Sequence, residues 1–166
     1  MRKVYIDVDN VIRDIELAVF GKPAEKWYNK VGGTHFVEYV TANKEKILTD
    51  TPECKYCEAL QKWLKVVDPI GLAFLSCQPE EWRPYTEKWL KKRFPEMNYI
   101  FTKKPEDKLL IVDSQDGILI DDYPLYKDYS RIAIVDRPYN QNIKSACRIK
   151  GPMDFVLLLA KYRWME

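Results

Sequence analysis

Nearly continuous apolar segments alternate with amphipathic stretches along most of the chain. Segments of this kind are typical of strands buried on both faces of a parallel sheet. The predicted strands are Lys3–Asp9, Ile70–Cys77, Met97–Thr102, Gly117–Asp122 and Arg131–Asp136. The predicted helices, from apolar residues at helical spacing, are Glu53–Val67, Glu80–Phe94, Glu106–Val112 and Pro152–Trp164. We expect Thr51 and Pro52 to begin the first of these helices. The alternation predicts an α/β fold, a Rossmann-like doubly wound parallel sheet of five strands.

One region interrupts this alternation. Residues Ile15–Asp50 contain several aromatic side chains and the pair Gly32-Gly33, which we interpret as a break. They leave the first strand at its carboxyl end, where open α/β sheets bind their ligands. We therefore expect a small helical cap inserted after strand one. The predicted division is a catalytic core of residues 1–14 and 66–166, and an insertion of residues 15–65 that leads into a core helix.

Length and composition exclude several classes of protein. The chain of 166 residues has 27 basic and 25 acidic side chains, and this net charge of +2 indicates no polynucleotide or anionic membrane partner. No segment reaches the roughly 18 apolar residues that suggest a transmembrane helix. Charged residues also interrupt the N-terminal apolar run, where a signal peptide needs continuity. We expect a cytoplasmic protein whose four cysteines are thiols.

Asp7 and Asp9 lie at the end of the first predicted strand. Residues two apart in a strand point the same way, so the two carboxylates should converge. Like charges at short distance resist joint ionisation, and a divalent cation relieves this repulsion. Carboxylates with substrate phosphate are a usual ligand set for Mg²⁺. A solvated strand end with two unrelated acids remains the alternative for so short a motif.

Polar residues also end two other predicted strands. Ser76 and Cys77 end the second strand before a helix, and Asp121 and Asp122 end the fourth. Lys108 lies near the start of the short helix between them. Carboxylates, a hydroxyl and a lysine at the carboxyl ends of parallel strands are the components of metal-assisted phosphoryl transfer. Each has a structural alternative: a helix cap for the serine, a solvated side chain for the lysine and a turn for the acidic pair.

Together these motifs resemble those of the haloacid dehalogenase superfamily of phosphotransferases. DVDNV is similar to the first motif of that superfamily, LSCQP to the second, Lys108 to the third and ILIDD to the fourth. Four segments further resemble the 5′(3′)-deoxyribonucleotidase branch: DVDNVIRDIE, DKLLIVDSQDGILIDDYP, IAIVDRPYNQ and GPMDFVLLLAK. The resemblance covers Met1–Asp14 and about Val67–Glu166 and is weak in the insertion. Asn10 replaces a common glycine, but asparagine tolerates left-handed backbone.

The resemblance implies a mechanism for hydrolysis of nucleoside monophosphates, deoxyribonucleotides in particular. Asp7 would attack phosphorus and form an aspartyl-phosphate, while Asp9 would protonate the leaving oxygen and then activate water. The implied metal ligands for Mg²⁺ are Asp7, Asp9 through its backbone carbonyl, and Asp121 or Asp122. The implied phosphate-binding groups are Ser76, the amide of Cys77, and Lys108. The implied substrate contacts in the cap are Phe20, Trp27 and Tyr28, for which packing within the cap is the alternative.

Other interpretations stay open. The chain could act on another small phosphomonoester or on a polynucleotide end. It could also be a non-catalytic phosphate-binding or phosphoacceptor module, although Asp9, two residues after Asp7, favours turnover. Lys103 and Lys104 compete for the lysine role, but the spacing to ILIDD favours Lys108. The CxxC pair of residues 54 and 57 lacks the further ligands of a zinc site, and we interpret it as incidental.

Overall fold

The computed structural model describes residues 2–27, 30–144 and 147–164. Its strands are β1 (Val4–Ile6), β2 (Lys30–Val31), β3 (Thr34–His35), β4 (Leu72–Cys77), β5 (Asn98–Thr102), β6 (Ile118–Asp121), β7 (Ile132–Val135) and β8 (Cys147–Ile149). Strands β2 and β3 form an antiparallel hairpin. The other six form one parallel sheet in the order β5-β4-β1-β6-β7-β8.

Seven helices accompany these strands in the described residues. They are α1 (Ile15–Phe20), α2 (Phe36–Ala42), α3 (Lys44–Asp50), α4 (Lys55–Leu64), α5 (Arg83–Arg93), α6 (Pro105–Ser114) and α7 (Pro152–Trp164). Short 3-10 turns cover Glu80–Trp82 and Pro138–Asn140. The predicted α/β fold with a parallel sheet is confirmed. Among the described helices, none is long and apolar enough to cross a membrane.

The predicted number of five strands was wrong, because β8 adds a sixth to the parallel sheet. This strand has only three residues, lies at the sheet edge and has the sequence Cys-Arg-Ile, which lacks an apolar run. The five predicted strands are present, each with shorter bounds. Local pattern missed β8 because its pairing with β7, rather than its own composition, makes it a strand.

The insertion also differs from the expected all-helical segment, because it contains the hairpin as well as α1, α2 and α3. Gly32 and Gly33, expected as a break, form the hairpin turn at φ 55° and 90°, a region that favours glycine. Thr51 does not begin α4 as expected. Its hydroxyl donates instead to the carbonyl of Ile47 at the end of α3, and Cys54 precedes α4.

Both faces of the sheet are buried. Val4 and Ile6 of β1 belong to a core shared with α4, α5 and α7, whereas Tyr5 belongs to a second core with Val112 of α6. This alternation follows from the two-residue period of a strand, and burial on both sides is typical of parallel sheets. A third cluster joins the insertion to Trp82, next to α5.

The strand order brings the polar strand ends together. Because β1 pairs with β4 on one side and β6 on the other, the residues after all three strands meet at one edge. Chain order reverses between β1 and β6, which is the switch point where open sheets bind ligands. Asp7 and Asp121 lie at this point.

Close packing at Gly117, between α6 and β6, predicts an effect on stability. A Cβ there would lie 2.9 Å from the backbone oxygen of Lys3 and 3.1 Å from the ring of Tyr5. That oxygen accepts a hydrogen bond from Ile118 and cannot easily move. We expect Gly117→Ala to lower the free energy of unfolding by about 1–3 kcal/mol, as in overpacked cores. Chemical denaturation measures the difference.

Gly151→Ala is the matched control. Its Cβ would have no heavy atom of the described residues within 4 Å. We expect this variant to change the free energy of unfolding by less than about 1 kcal/mol. Equal losses in the two variants would contradict steric exclusion at Gly117.

Candidate active site

Three buried carboxylates converge at the carboxyl edge of the sheet. Asp7, Asp121 and Asp122 each place an oxygen within 4.8 Å of the other two. The buried ammonium of Lys108 lies 2.9 Å from Asp7 Oδ1 and 2.8 Å from Asp121 Oδ2. Lys108 therefore balances part of the negative charge, and both Asp121 and Asp122 belong to the cluster.

Lys108 reaches the cluster because of its position near the start of α6. The helix begins at Pro105, a residue favoured at the first helical position, and Lys108 follows within the first turn. Lys103 is exposed and pairs with Glu80 at 3.0 Å, and Lys104 is exposed at the helix N-terminus. The structure thus brings Lys108 to the carboxylates, and places the two competing lysines elsewhere.

Hydrogen bonds from tyrosines hold the carboxylates of β6 in place. Tyr126 donates its hydroxyl to Asp121 Oδ2 at 2.8 Å, and the backbone amide of Tyr123 donates to Asp121 Oδ1 at 2.9 Å. The hydroxyl of Tyr139, in the turn after β7, donates to Asp122. Sequence reasoning missed these side chains, because no local signal distinguishes them among eleven tyrosines.

Burial and mutual repulsion set the protonation of this cluster. Burial raises the pKa of Asp7 to about 7, opposed by Lys108 and reinforced by the charge of Asp121. Burial and the same neighbouring charge raise the pKa of Asp122 well above its usual range. Burial alone would lower the pKa of Lys108, but Asp121 and Asp7 outweigh it and raise that pKa, so the lysine stays charged.

The cluster fits a divalent cation. It offers carboxylate oxygens, which Mg²⁺ prefers. Burial and neighbouring negative charge raise the pKa of Asp7 and Asp122, and a nearby cation would favour their charged forms. Asp7 Oδ1 is buried against the Lys108 ammonium, 2.9 Å away, while the Asp7 side chain as a whole is 10% exposed and lines a cavity. The Asp7 carboxylate can therefore accept a metal ion or attack a substrate.

Asp9 lies in a different environment. Arg13 Nε donates to its Oδ1 at 2.8 Å, and Gln78 Nε2 donates to its Oδ2 at 2.8 Å. Its side chain is not one of the three clustered carboxylates, so its metal role through the backbone carbonyl stays a prediction. Asn10 adopts φ 60°, which confirms the expected left-handed turn, and Arg137 donates to the Asn10 carbonyl.

A cavity of about 300 Å³ lies at the cluster. All of the predicted site residues that the structure describes line it. They are Asp7, Asp9, Phe20, Trp27, Ser76, Cys77, Lys108, Asp121 and Asp122. Tyr28, the remaining predicted residue, lies outside the described residues. The volume is in the range of small-ligand pockets, about 300–1,000 Å³.

The insertion contributes an apolar part of the lining. Trp27 packs edge-on against Tyr123 and Tyr139, with ring centres 5.3 and 5.2 Å apart. Phe20 stacks on Phe36 at 6.0 Å. Because Tyr139 also bonds Asp122, the insertion and the acidic cluster share a side chain. The aromatic residues predicted to contact substrate thus lie at the cavity and are partly packed against the protein itself.

The CxxC pair lies away from this chemistry. Cys54 and Cys57 are buried free thiols. Burial raises the pKa of Cys54 to about 12, although the guanidinium of Arg137 opposes the shift and donates to its sulfur at 3.2 Å. A protonated thiol is a poor nucleophile and metal ligand. This supports the interpretation of the pair as incidental.

Comparisons with known proteins identify a distantly similar solved structure and no matching family. No protein-family model and no curated protein matches the chain. A haloacid dehalogenase-like family hydrolase from Xanthomonas campestris has a similar solved structure, with a TM-score of 0.47 and 9% sequence identity over 98% of this chain and 97% of that one. A similarity of that size shows neither a shared family nor a shared activity. The functional inference therefore rests on the residues of the site.

The raised pKa values predict how the metal-free protein responds to pH. Folding raises the pKa of Asp122 above the ordinary value of 3.8, so the charged form of this acid destabilises the folded protein at pH values above 3.8. This destabilisation decreases as the pH falls, because the acid becomes protonated. Asp122→Asn removes one such acid and keeps an acceptor for Tyr139. We expect the variant to have a higher free energy of unfolding than the original protein at pH 8, with a smaller advantage at pH 5. Chemical denaturation in chelator measures this difference.

An exposed acid provides the control for Asp122→Asn, and added Mg²⁺ provides a second measurement. Asp128→Asn removes an exposed acid whose pKa is lowered by hydrogen bonds from Ser130, so it should bring no gain at pH 8. Added Mg²⁺ should stabilise the original protein more than Asp122→Asn, because the variant has lost a ligand. Equal stabilisation of both proteins would show that Asp122 is not a ligand of the metal.

Proposed function

We propose that the protein is a Mg²⁺-dependent phosphomonoesterase of the haloacid dehalogenase type. It hydrolyses nucleoside monophosphates, deoxyribonucleotides in particular, through an aspartyl-phosphate on Asp7. One observation carries this proposal. The Asp7 carboxylate pairs with Lys108 at 2.9 Å and lies at a small-ligand cavity beside two further buried carboxylates. A carboxylate oxygen placed in this way is available as a nucleophile.

The surrounding residues suit the remaining steps. Lys108 offers positive charge to the phosphoryl oxygens and restrains Asp7. Ser76 and Cys77 line the cavity, where the serine hydroxyl and the Cys77 amide can bind the other phosphate oxygens. Asp9 lines the same cavity, where it can protonate the leaving oxygen and then accept a proton from water. Bound at Asp7, Asp121 and Asp122, Mg²⁺ would neutralise phosphoryl charge.

The cavity lining supports a substrate with a planar, apolar part. Phe20 and Trp27 from the insertion, together with Trp82 and Tyr123, can contact a nucleobase. The same apolar character favours a second candidate, a small phosphomonoester of another aromatic or apolar alcohol. Both candidates share the phosphate chemistry and differ only in the leaving group, so a substrate panel separates them.

Phosphate release tests the proposed chemistry. We expect turnover of deoxynucleoside monophosphates that disappears in chelator and returns with Mg²⁺. Asp7→Asn should abolish turnover because it removes the nucleophile, and Asp9→Asn should lower kcat by about 10²–10⁴-fold, the usual contribution of a positioned acid and base. Phosphate release from ribo- and deoxynucleotides, sugar phosphates and para-nitrophenyl phosphate measures both effects.

A matched control accompanies these variants. Asp113→Asn removes an exposed carboxylate of α6 that pairs with Arg131, and it should keep full activity. Full turnover in excess chelator, or a phosphorylated intermediate at a residue other than Asp7, would refute the proposed mechanism.

Replacement of the cavity aromatics tests the proposed substrate. If Phe20 stacks on the base, Phe20→Ala should weaken nucleotide binding by about 1–3 kcal/mol, the usual contribution of base stacking. Hydrolysis of para-nitrophenyl phosphate should change much less. Trp27→Ala should affect both substrates to some degree, because Trp27 also packs on Tyr139, which bonds Asp122. Kinetics and thermal melting of both variants measure this, and equal losses on both substrates for Phe20→Ala would contradict stacking.

A further inference from the structure

We propose that Arg13, Thr86 and Gln78 are positioning residues that hold the Asp9 carboxylate in the orientation needed for proton transfer. This inference rests on the proposed function, which gives Asp9 its proton-transfer role. Three residues outside the acidic cluster would then contribute to the function of the site. Arg13 follows β1, Gln78 follows β4, and Thr86 lies in α5.

The four side chains form a closed ring of hydrogen bonds. Arg13 Nε donates to Asp9 Oδ1 at 2.8 Å, and Arg13 Nη2 donates to Thr86 Oγ1 at 3.0 Å. The Thr86 hydroxyl donates to Gln78 Oε1 at 2.8 Å. Gln78 Nε2 then donates to Asp9 Oδ2 at 2.8 Å. Both oxygens of Asp9 are therefore held from within the protein.

The chemistry of the donors determines the direction of every bond. A guanidinium can only donate, so Thr86 Oγ1 must accept from Arg13 and give its single proton to Gln78. That proton fixes Oε1 as the accepting end of the Gln78 amide. The NH₂ end must then point at Asp9. Removing the Thr86 hydroxyl would leave the amide free to turn and would also free one nitrogen of Arg13.

The three positioning residues are more deeply buried than Asp9. Arg13 and Thr86 are fully buried and Gln78 is 3% exposed, whereas the Asp9 side chain is 19% exposed. Of these four residues, only Asp9 lines the cavity. Arg13, Thr86 and Gln78 therefore act on a substrate through Asp9 rather than by touching it.

The ring is also anchored to the rest of the fold. Arg13 Nη1 donates to the carbonyl of Leu48 in α3 at 3.3 Å, and its guanidinium lies 5.7 Å from the ring centre of Trp89 in α5. Two buried polar side chains thus converge on one carboxylate at the cavity, and Thr86 joins the two. Each carboxylate oxygen has more than one lone pair, so Asp9 keeps a position for the proton that it donates to the leaving oxygen. Loss of this orientation reduces proton transfer, which depends on the alignment of the two groups.

Thr86→Val tests the ring with a substitution of similar volume. We expect kcat for a deoxynucleotide to fall about 10-fold, a part of the usual contribution of a positioned acid, with KM unchanged. Para-nitrophenolate leaves without a proton, so the single-turnover rate of para-nitrophenolate release, which reports the first step alone, should change less than about 2-fold. Thr86→Ser keeps the hydroxyl and should restore nucleotide turnover. A merely structural role would affect both substrates alike.

Thr51→Val is the matched control, because Thr51 is equally buried but bonds the backbone of Ile47. It should keep the ratio of the two activities unchanged. A fall in the single-turnover release of para-nitrophenolate as large as the fall in nucleotide kcat in Thr86→Val, or a change in KM alone, would overturn the inference.

Crystal structures of Thr86→Val and the original protein give a readout that needs no activity. We expect the Asp9 carboxylate and the Gln78 amide to be rotated in the variant, and an unchanged Asp9 would refute the positioning role. If the original protein hydrolyses neither substrate, the proposed function fails, and the orientation of Asp9 still decides whether the ring holds it.

Discussion

The mutual repulsion of three buried carboxylates around Lys108 is the constraint on which the rest of the site depends. Asp7, Asp121 and Asp122 meet because β1 lies beside β6 in the sheet. Burying like charges is costly unless they are paired and hydrogen-bonded. The lysine and the tyrosine hydroxyls offset part of that cost, and the raised pKa of Asp7 shows that a part remains. A site that retains such a cost is suited to a cation or to a phosphate group with its metal.

The two acids of the first motif differ because their surroundings differ. Asp7 has acids and a lysine as neighbours, and its side chain is 10% exposed at the cavity. Asp9, two residues later, is held at both oxygens by neutral and cationic donors. Under the proposed function, environment rather than residue type would separate a nucleophile from a proton-transfer group, as in other enzymes with paired carboxylates.

The insertion contacts side chains that hold Asp122 and Asp9, in addition to lining the cavity. Trp27 packs on Tyr139, and the Tyr139 hydroxyl donates a hydrogen bond to Asp122. Tyr139 therefore connects the apolar lining of the cavity to the acidic cluster. On the other side, Leu48 of the insertion bonds Arg13, which holds Asp9. Movement of the insertion would therefore disturb both carboxylate environments. Substrate selection and catalysis are expected to be coupled through these contacts.

Local patterns in the sequence determined the α/β fold and the acidic residues, serine and lysine at the cavity. Apolar runs that end in Asp7, Ser76 and Asp121 mark buried strands with polar ends, and such signals depend on neighbouring residues alone. Only the tertiary structure decided the sixth strand, the bond from Tyr139 to Asp122, and the ring around Asp9. Each of these joins residues far apart in the chain, and Thr86 meets Arg13 only because α5 packs beside the ends of β1 and β4. Such partners have no local signal, because strand order and helix packing, rather than composition, bring them together.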